Sequence, residues 1–222
     1  MYQLIIFDWD GTLMDSAEKI SNCIIAAARD AGLPEPSSQN AKQMIGLSLH
    51  EAIGNLFPDQ PRTVIERVVE AYKFHFISGD LTEQVMFDGV EQGLAALADR
   101  GALLAVATGK SRRGLQRVFD ELDVAGKFAI SRCADETRSK PHPQMLHEIL
   151  DYTSIDPHNS IMIGDTTYDM QMAANAGITG LGAGYGVHSS HQLSQTKAID
   201  VLSSFAEIVD WLLDDRVAKA YG

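Results

Sequence analysis

The chain opens on an apolar run, Leu4-Ile5-Ile6-Phe7, which is too short to span a membrane and ends abruptly in Asp8-Trp9-Asp10-Gly11-Thr12. That pattern predicts a buried strand with an acidic end. If residues 8 to 10 stay extended, the period of two turns Asp8 and Asp10 to one side and Trp9 to the other. From Met14 the period changes. Ala17, Ile20, Cys23, Ile24, Ala27, Ala28 and Ala31 make a helical stripe that stops at Gly32, with Pro34 just beyond. Helical patterning continues through residues 37 to 79, where Leu47-Ser48 precedes a helix to Leu56 and Pro61 opens a longer one through Val64, Val68, Ala71 and Tyr72. No strand is predicted between Met14 and Met86.

Beyond that block, strand and helix patterns alternate. Val90, Leu94, Leu97 and Ala98 predict a helix ending at Gly101, and Ala102 to Ala107 a strand that ends in Thr108-Gly109-Lys110-Ser111. A helix over 111–122, a short strand near 128–130 and a helix over 143–152 follow. A strand over 160–163 then ends in Gly164-Asp165-Thr166-Thr167-Tyr168-Asp169. A helix over 168–176, a strand over 178–181, a glycine-rich loop, a strand over 199–202 and a helix over 204–214 complete the chain. This order predicts an α/β fold, a doubly wound parallel sheet interrupted by an all-helical insertion. The expected division is a core of residues 1–13 and 87–222 and a helical cap of 14–86, hinged at 13–16 and 82–88.

Length and charge narrow the function. At 222 residues the chain can bury a sizeable core without staples. Its net charge of −12 argues against a general nucleic-acid or anionic-membrane binder, since both need a basic surface. Any phosphate must therefore be held by local cations. The two cysteines, Cys23 and Cys133, lack the spacing of a metal knuckle and fit reduced thiols. With no leader pattern and no 18-residue apolar run, the expectation is a soluble cytoplasmic protein, a monomer, acting on a small molecule.

Open α/β sheets bind ligands beyond the carboxyl ends of their strands, where Asp8, Thr108 and Asp165 are expected. Lys140 lies before Pro141, which biases it toward an extended conformation just ahead of a helix and can aim its ammonium inward. Each residue has a plainer reading: Thr108 and Asp165 could be helix caps, Lys140 a surface lysine, Asp169 a helix-face charge. Taken in order, Asp-x-Asp-Gly-Thr, the strand-terminal Thr, Lys-Pro before a helix and Gly-Asp-x-x-x-Asp resemble the four motifs of the haloacid dehalogenase-like hydrolases. The resemblance spans essentially the whole chain, and the helical insertion is similar to the cap of the phosphoglycolate phosphatase and β-phosphoglucomutase-like branch.

The resemblance implies a Mg²⁺-dependent phosphatase acting on a small phosphorylated metabolite. Asp8 would be the nucleophile, forming an aspartyl phosphate, and Asp10 the general acid and base. Gly11, Thr108, the Gly109 amide and Lys140 would bind phosphate; Asp8, the Asp10 carbonyl and Asp165 would hold Mg²⁺; Asp169 would support Lys140 or the metal. The chemistry is consistent. A carboxylate is ionised at neutral pH and needs no base to attack, but carboxylates facing a phosphate dianion need a divalent cation and a lysine to offset their repulsion. Oxygen ligands favour Mg²⁺ over zinc. Asp10 must carry a proton when the ester bond breaks, through a raised pKa or proton pickup with substrate.

Specificity is expected from the turn Ile45-Gly46-Leu47-Ser48-Leu49-His50, giving Gly46, Ser48 and His50 as candidates, with Lys42 as the nearest cap cation for a second anionic group. Phosphoglycolate, a sugar or polyol phosphate, and pyrophosphate are comparable substrates on this reading. A phosphomutase of the same branch and a non-catalytic phosphate-binding regulator are the alternatives. Other patterns fail on spacing. Gly109-Lys110-Ser111 is not a nucleotide loop, because Leu104 stands where the first glycine would be, and the third glycine of Gly182-Ala183-Gly184-Tyr185-Gly186 falls one residue early for a dinucleotide fingerprint. His188 and His191 read as surface histidines in a polar loop.

Overall fold

A computed structural model describes residues 2–214. The first apolar run forms β1 (Leu4–Phe7), followed by β2 (Met14–Asp15) and the insertion helices α1 (Ala17–Asp30), α2 (Ser38–Lys42), α3 (Leu49–Leu56) and α4 (Arg62–Phe74). A wider turn, His75–Gly79, extends α4 toward β3 (Val85–Met86). Then come α5 (Val90–Asp99), β4 (Leu103–Thr108), α6 (Arg112–Leu122), β5 (Ile130–Cys133) and α7 (Gln144–Thr153). The chain continues through β6 (Ser160–Gly164), α8 (Thr167–Ala176), β7 (Thr179–Ala183), α9 (Ser190–Ser194), β8 (Ala198–Leu202) and α10 (Phe205–Leu213).

Six strands form one parallel sheet in the order β5-β4-β1-β6-β7-β8, with β1 flanked by β4 and β6. Alternation along β1 divides the core. Ile5 and Phe7 face α5, α6 and α10 through Leu94, Leu97, Leu115, Phe119, Phe205 and Ile208; Leu4 and Ile6 face α7 and α8 through Met145, Ile149, Met172 and Ala173. The sheet is doubly wound. The chain turns from one side of β1 to the other between β5 and β6, and at such a reversal the loops diverge and leave a crevice beyond the strand ends. A third apolar cluster, with Ile20, Ile24, Ala41, Ile53, Val68 and Val69 at its centre, lies within α1 to α4 and their loops. Among the described residues no helix is long and apolar enough to cross a membrane. The expected core also includes residues 1 and 215–222, which lie outside the described residues.

Several expectations need correction. The interval from Met14 to Met86 does contain strand: β2 and β3 pair antiparallel, Met14 with Met86 and Asp15 with Val85, at the two ends of the insertion. Two residues per strand are too few to show a period. The strand expected near 128–130 begins at Ile130, because Phe128 turns inward to stack on Phe119 at 5.6 Å, after the short turn Ala125–Lys127. The glycine-rich loop is partly strand, since Gly182 and Ala183 belong to β7. Short helices α2 and α9, capped by Ser37 and Ser189, carry too few apolar positions to announce themselves.

Trp9 fixes the acidic end of β1. Its ring is fully buried and meets Phe119 edge-on at 5.3 Å and Phe128 at 6.1 Å, so Asp8 and Asp10 are carried on an anchored backbone. Removing that ring leaves a cavity in a dense core. Trp9→Ala should cost about 3–5 kcal/mol in urea unfolding, and a loss below about 1 kcal/mol would show that the anchor is unimportant.

Candidate active site

Asp8 leaves β1, Thr108 ends β4, Asp165 follows β6, Asp169 sits in the first turn of α8, and Lys140 comes from the loop between β5 and α7. All five are buried. The Lys140 Nζ lies 2.7 Å from Asp8 Oδ1 and 2.7 Å from Asp169 Oδ1. The other Asp169 oxygen accepts from the Thr166 amide at 3.0 Å and the Thr166 hydroxyl at 2.6 Å, closing a capping box on α8. Asp165 accepts from the Thr12 hydroxyl at 2.9 Å and the Val187 amide at 2.8 Å. Asp8 Oδ2 has no hydrogen-bond partner among the described residues.

The electrostatics follow from that geometry. Oxygens of Asp8, Asp165 and Asp169 lie within 4.8 Å of one another. Three carboxylates against one ammonium leave two negative charges when all are ionised. Burial is the largest cause that pushes the Asp8 carboxyl well above the usual carboxylate range; Lys140 opposes it, while Asp169 and Asp165 add to it. Burial and Asp169 push Asp165 up to about 7 despite its two hydrogen bonds. Burial disfavours the Lys140 ammonium, but Asp169 and Asp8 outweigh it and hold the group above the usual lysine range. An all-oxygen donor set with excess negative charge and an unpartnered carboxylate oxygen fits a hard divalent cation such as Mg²⁺. The thiols stand apart: burial pushes Cys23 and Cys133 each up to about 12, which leaves them inert.

Asp10 faces different partners. Lys110 Nζ donates to both its oxygens, at 2.8 and 2.9 Å, and the Ser16 hydroxyl donates to Oδ1 at 2.5 Å. Lys110 also lies 5.1 Å from the centre of the Phe76 ring, so a core lysine touches the insertion. Sequence reasoning misses this residue. Thr-Gly-Lys-Ser at a strand end suggests a nucleotide loop, and once that loop is rejected on spacing the lysine is left without a role; its place beyond a strand end was the signal that could have found it.

Gly11 serves the site differently from the expectation. Its amide donates to Met14 O at 2.8 Å and so is used within the loop, whereas a Cβ there would collide with Asp165 Oδ2. With φ at +82° as well, the position requires glycine. Thr108 Oγ1 accepts from the Lys110 amide at 3.2 Å and shapes the turn. Gly109 lies under the insertion, where a Cβ would come within 2.7 Å of the Gly46 and Leu47 carbonyl oxygens.

The insertion rests on the strand ends. The Ser48 amide donates to Ser139 Oγ at 2.8 Å, Tyr168 Oη donates to Gln43 O at 3.2 Å, and Gln192 Nε2 donates to Gln43 Oε1 at 3.0 Å. Beneath it lies a cavity of about 770 Å³, with Asp8 and Asp10 in its wall alongside Gly46, Ser48 and His50. The Ser48 hydroxyl caps α3. Lys42 is not in the wall; it pairs with Glu18 at 2.7 Å, because α2 turns that side chain toward α1. His188 also differs from expectation, whereas His191 is at the surface as expected. His188 is buried and its Nδ1 accepts from the Thr167 amide at 3.0 Å, while His191 is exposed on α9.

These features place a buried lysine–carboxylate cluster, bordering a large cavity, at the switch point of a doubly wound sheet. The profile of the haloacid dehalogenase-like hydrolases matches residues 5–183, and the chain belongs to that family. It is a phosphatase-type enzyme of the phosphoglycolate phosphatase-like branch. It is 32% identical over 214 residues to the "Probable phosphatase IndB" of Dickeya dadantii, covering 94% of this chain and 93% of that one. It is 27% identical over 176 residues to a phosphoglycolate phosphatase of Aquifex aeolicus, covering 79% and 81%. The solved structure of a hydrolase from Pseudomonas syringae has the same fold, with a TM-score of 0.86 at 20% identity over 95% of this chain and 97% of that one.

Removing Lys140 would leave two carboxylates buried without their cation. Lys140→Ala should lose about 3–5 kcal/mol of stability at pH 7 in EDTA, measured by urea unfolding against wild type. A change under about 1 kcal/mol would mean the ammonium does not hold this cluster together.

Proposed function

We propose that this protein is a Mg²⁺-dependent phosphomonoesterase that works through an aspartyl phosphate on Asp8. The observation that carries the reading is Asp8 itself: one oxygen is held by Lys140, the other is unpartnered among the described residues, and the residue lies in the wall of a large cavity. Asp8 Oδ2 attacks phosphorus, the bond from phosphorus to the ester oxygen breaks, and Asp10 gives that oxygen a proton. Water then attacks the phosphorus of the acyl phosphate, returning a proton to Asp10 and freeing Asp8. Both Asp10 oxygens accept from Lys110, so the proton transfer requires one of those bonds to exchange.

Magnesium, held by Asp8, Asp165 and the Asp10 carbonyl oxygen, would supply the positive charge that offsets carboxylates and phosphate during transfer. Lys140 keeps Asp8 oriented and contributes charge at the phosphoryl group, and Asp169 holds Lys140 in place. Gly109 and Thr108 form the turn facing the phosphoryl group. Residues 14–86 act as a cap hinged where β2 pairs with β3, and its closure excludes water. The substrate is a small phosphorylated metabolite met in the cytoplasm by a monomer.

Hydrolysis of p-nitrophenyl phosphate with Mg²⁺ or EDTA tests the reading. Asp8→Asn should give no measurable turnover, and Asp10→Asn should fall roughly 10²–10⁴-fold while retaining phosphate on Asp8, detectable by mass spectrometry of the Asp8 peptide. Wild-type turnover in a folded Asp8→Asn preparation would overturn the mechanism.

A further inference from the structure

The cavity is far larger than a phosphoryl group with a two-carbon acid requires, and its walls are sharply divided. At about 770 Å³ it falls in the range of sites that enclose whole organic ligands. The strand-end wall carries Asp8, Asp10 and Lys110; the insertion wall is built largely from Ile20, Ile24, Leu49, Val69, Tyr72 and Phe76. Tyr72 and Phe76 stack at 5.6 Å, making a broad aromatic surface. The apolar lining continues to Phe74 and Ile77, which are 63% and 53% exposed, large values for apolar side chains. Water against such a wall is poorly hydrogen-bonded, so the wall favours an apolar occupant.

The insertion's cations are otherwise engaged. Lys73, the one insertion Lys or Arg in the cavity wall among the described residues, pairs with Glu70 at 2.6 Å; Lys42 pairs with Glu18; and Lys19 donates to the Asp80 and Thr82 carbonyls at 3.0 and 3.2 Å. The insertion wall therefore offers a second anionic group only the exposed Lys73, already paired with Glu70. The rival partners are Arg113 and Arg117 of α6, which line the cavity from the core side.

We infer that the substrate is a phosphate monoester whose alcohol carries an extended apolar or ring-bearing body, seated against the insertion wall while the phosphate meets Asp8. This rests on the phosphatase reading above and replaces phosphoglycolate and pyrophosphate as the fitting substrates. The burden of recognition falls on burial: each methylene removed from water contributes about a three- to fourfold gain in binding to the transition state.

The test is a series of primary-alcohol phosphates of nearly equal leaving-group basicity: ethyl, butyl, hexyl and 2-phenylethyl phosphate, with 5-carboxypentyl phosphate as the charged counterpart of hexyl. In the wild-type enzyme with Mg²⁺, kcat/KM should rise from ethyl to hexyl at least about tenfold, 2-phenylethyl should match or exceed butyl, and the carboxylate should lower the hexyl value. Ile77→Ser, at a half-exposed rim position, and Leu49→Gln should each reduce the hexyl-to-ethyl ratio several-fold. A flat or falling series, a carboxylate ester better than hexyl, or a ratio that neither variant moves would overturn the inference. p-Nitrophenyl phosphate runs alongside, because its Mg²⁺-dependent hydrolysis with a flat alkyl series refutes only the substrate class, whereas no hydrolysis of any ester refutes the phosphatase reading.

Discussion

One buried ammonium faces three carboxylates, more negative charge than it can neutralise when all are ionised. Lys140 bridges Asp8 and Asp169, and Asp165 stands close to both without a cation of its own among the described residues. Burying charge without compensation is costly, and besides Lys140 the Asp165 and Asp169 carboxylates are supported by hydrogen bonds from Thr12, Val187 and Thr166. Much of the surrounding backbone follows from that need. Gly11 and Gly186 leave room for Asp165, Gly164 leaves room for Asp169, and the capping box at the start of α8 ties Asp169 to its own helix. The imbalance of charge that makes the cluster costly is the same property that suits it to a divalent cation and a transferring phosphoryl group.

The fold places this cluster without any long-range device beyond the parallel sheet. β1 lies between β4 and β6, so three consecutive neighbours in the sheet deliver Asp8, Thr108 and Asp165 to one edge, although they are far apart in sequence. The insertion leaves and re-enters the core between Met14 and Met86, immediately after the acidic end of β1. A short antiparallel pair at that junction positions the helices above the site and lets Phe76 approach Lys110. Core and insertion thus meet at Asp10, which is held from the core by Lys110 and from the start of the insertion by Ser16.

Most of this was legible in the sequence where the physical signal was strong and local. The apolar run ending in Asp8 reads as a buried strand with a polar terminus, and the helical stripe from Ala17 to Ala31 as an amphipathic helix, and both form as expected. What escaped depended on side-chain direction across large separations. That Lys110 reaches Asp10, that Lys42 turns away to Glu18, and that His188 is buried under the insertion are consequences of packing, and no periodicity encodes them. The two-residue strands β2 and β3 escaped because Met14 and Met86 pair from opposite ends of the insertion and each strand is too short for a periodic signal. The apolar character of the cavity wall was present in the sequence as the buried stripe of α1 and α4, but a stripe facing a cavity reads the same as a stripe facing a core.

The central claim is that Asp8, Asp165 and the Asp10 carbonyl oxygen hold one divalent cation beside the Lys140–Asp169 pair, and isothermal titration with MgCl₂ measures that directly. Wild-type protein should bind a single Mg²⁺ saturably, and folded Asp165→Asn should bind it much more weakly, because one negative charge of the cluster has been removed. No saturable binding by wild type, or equal binding by Asp165→Asn, would contradict the account.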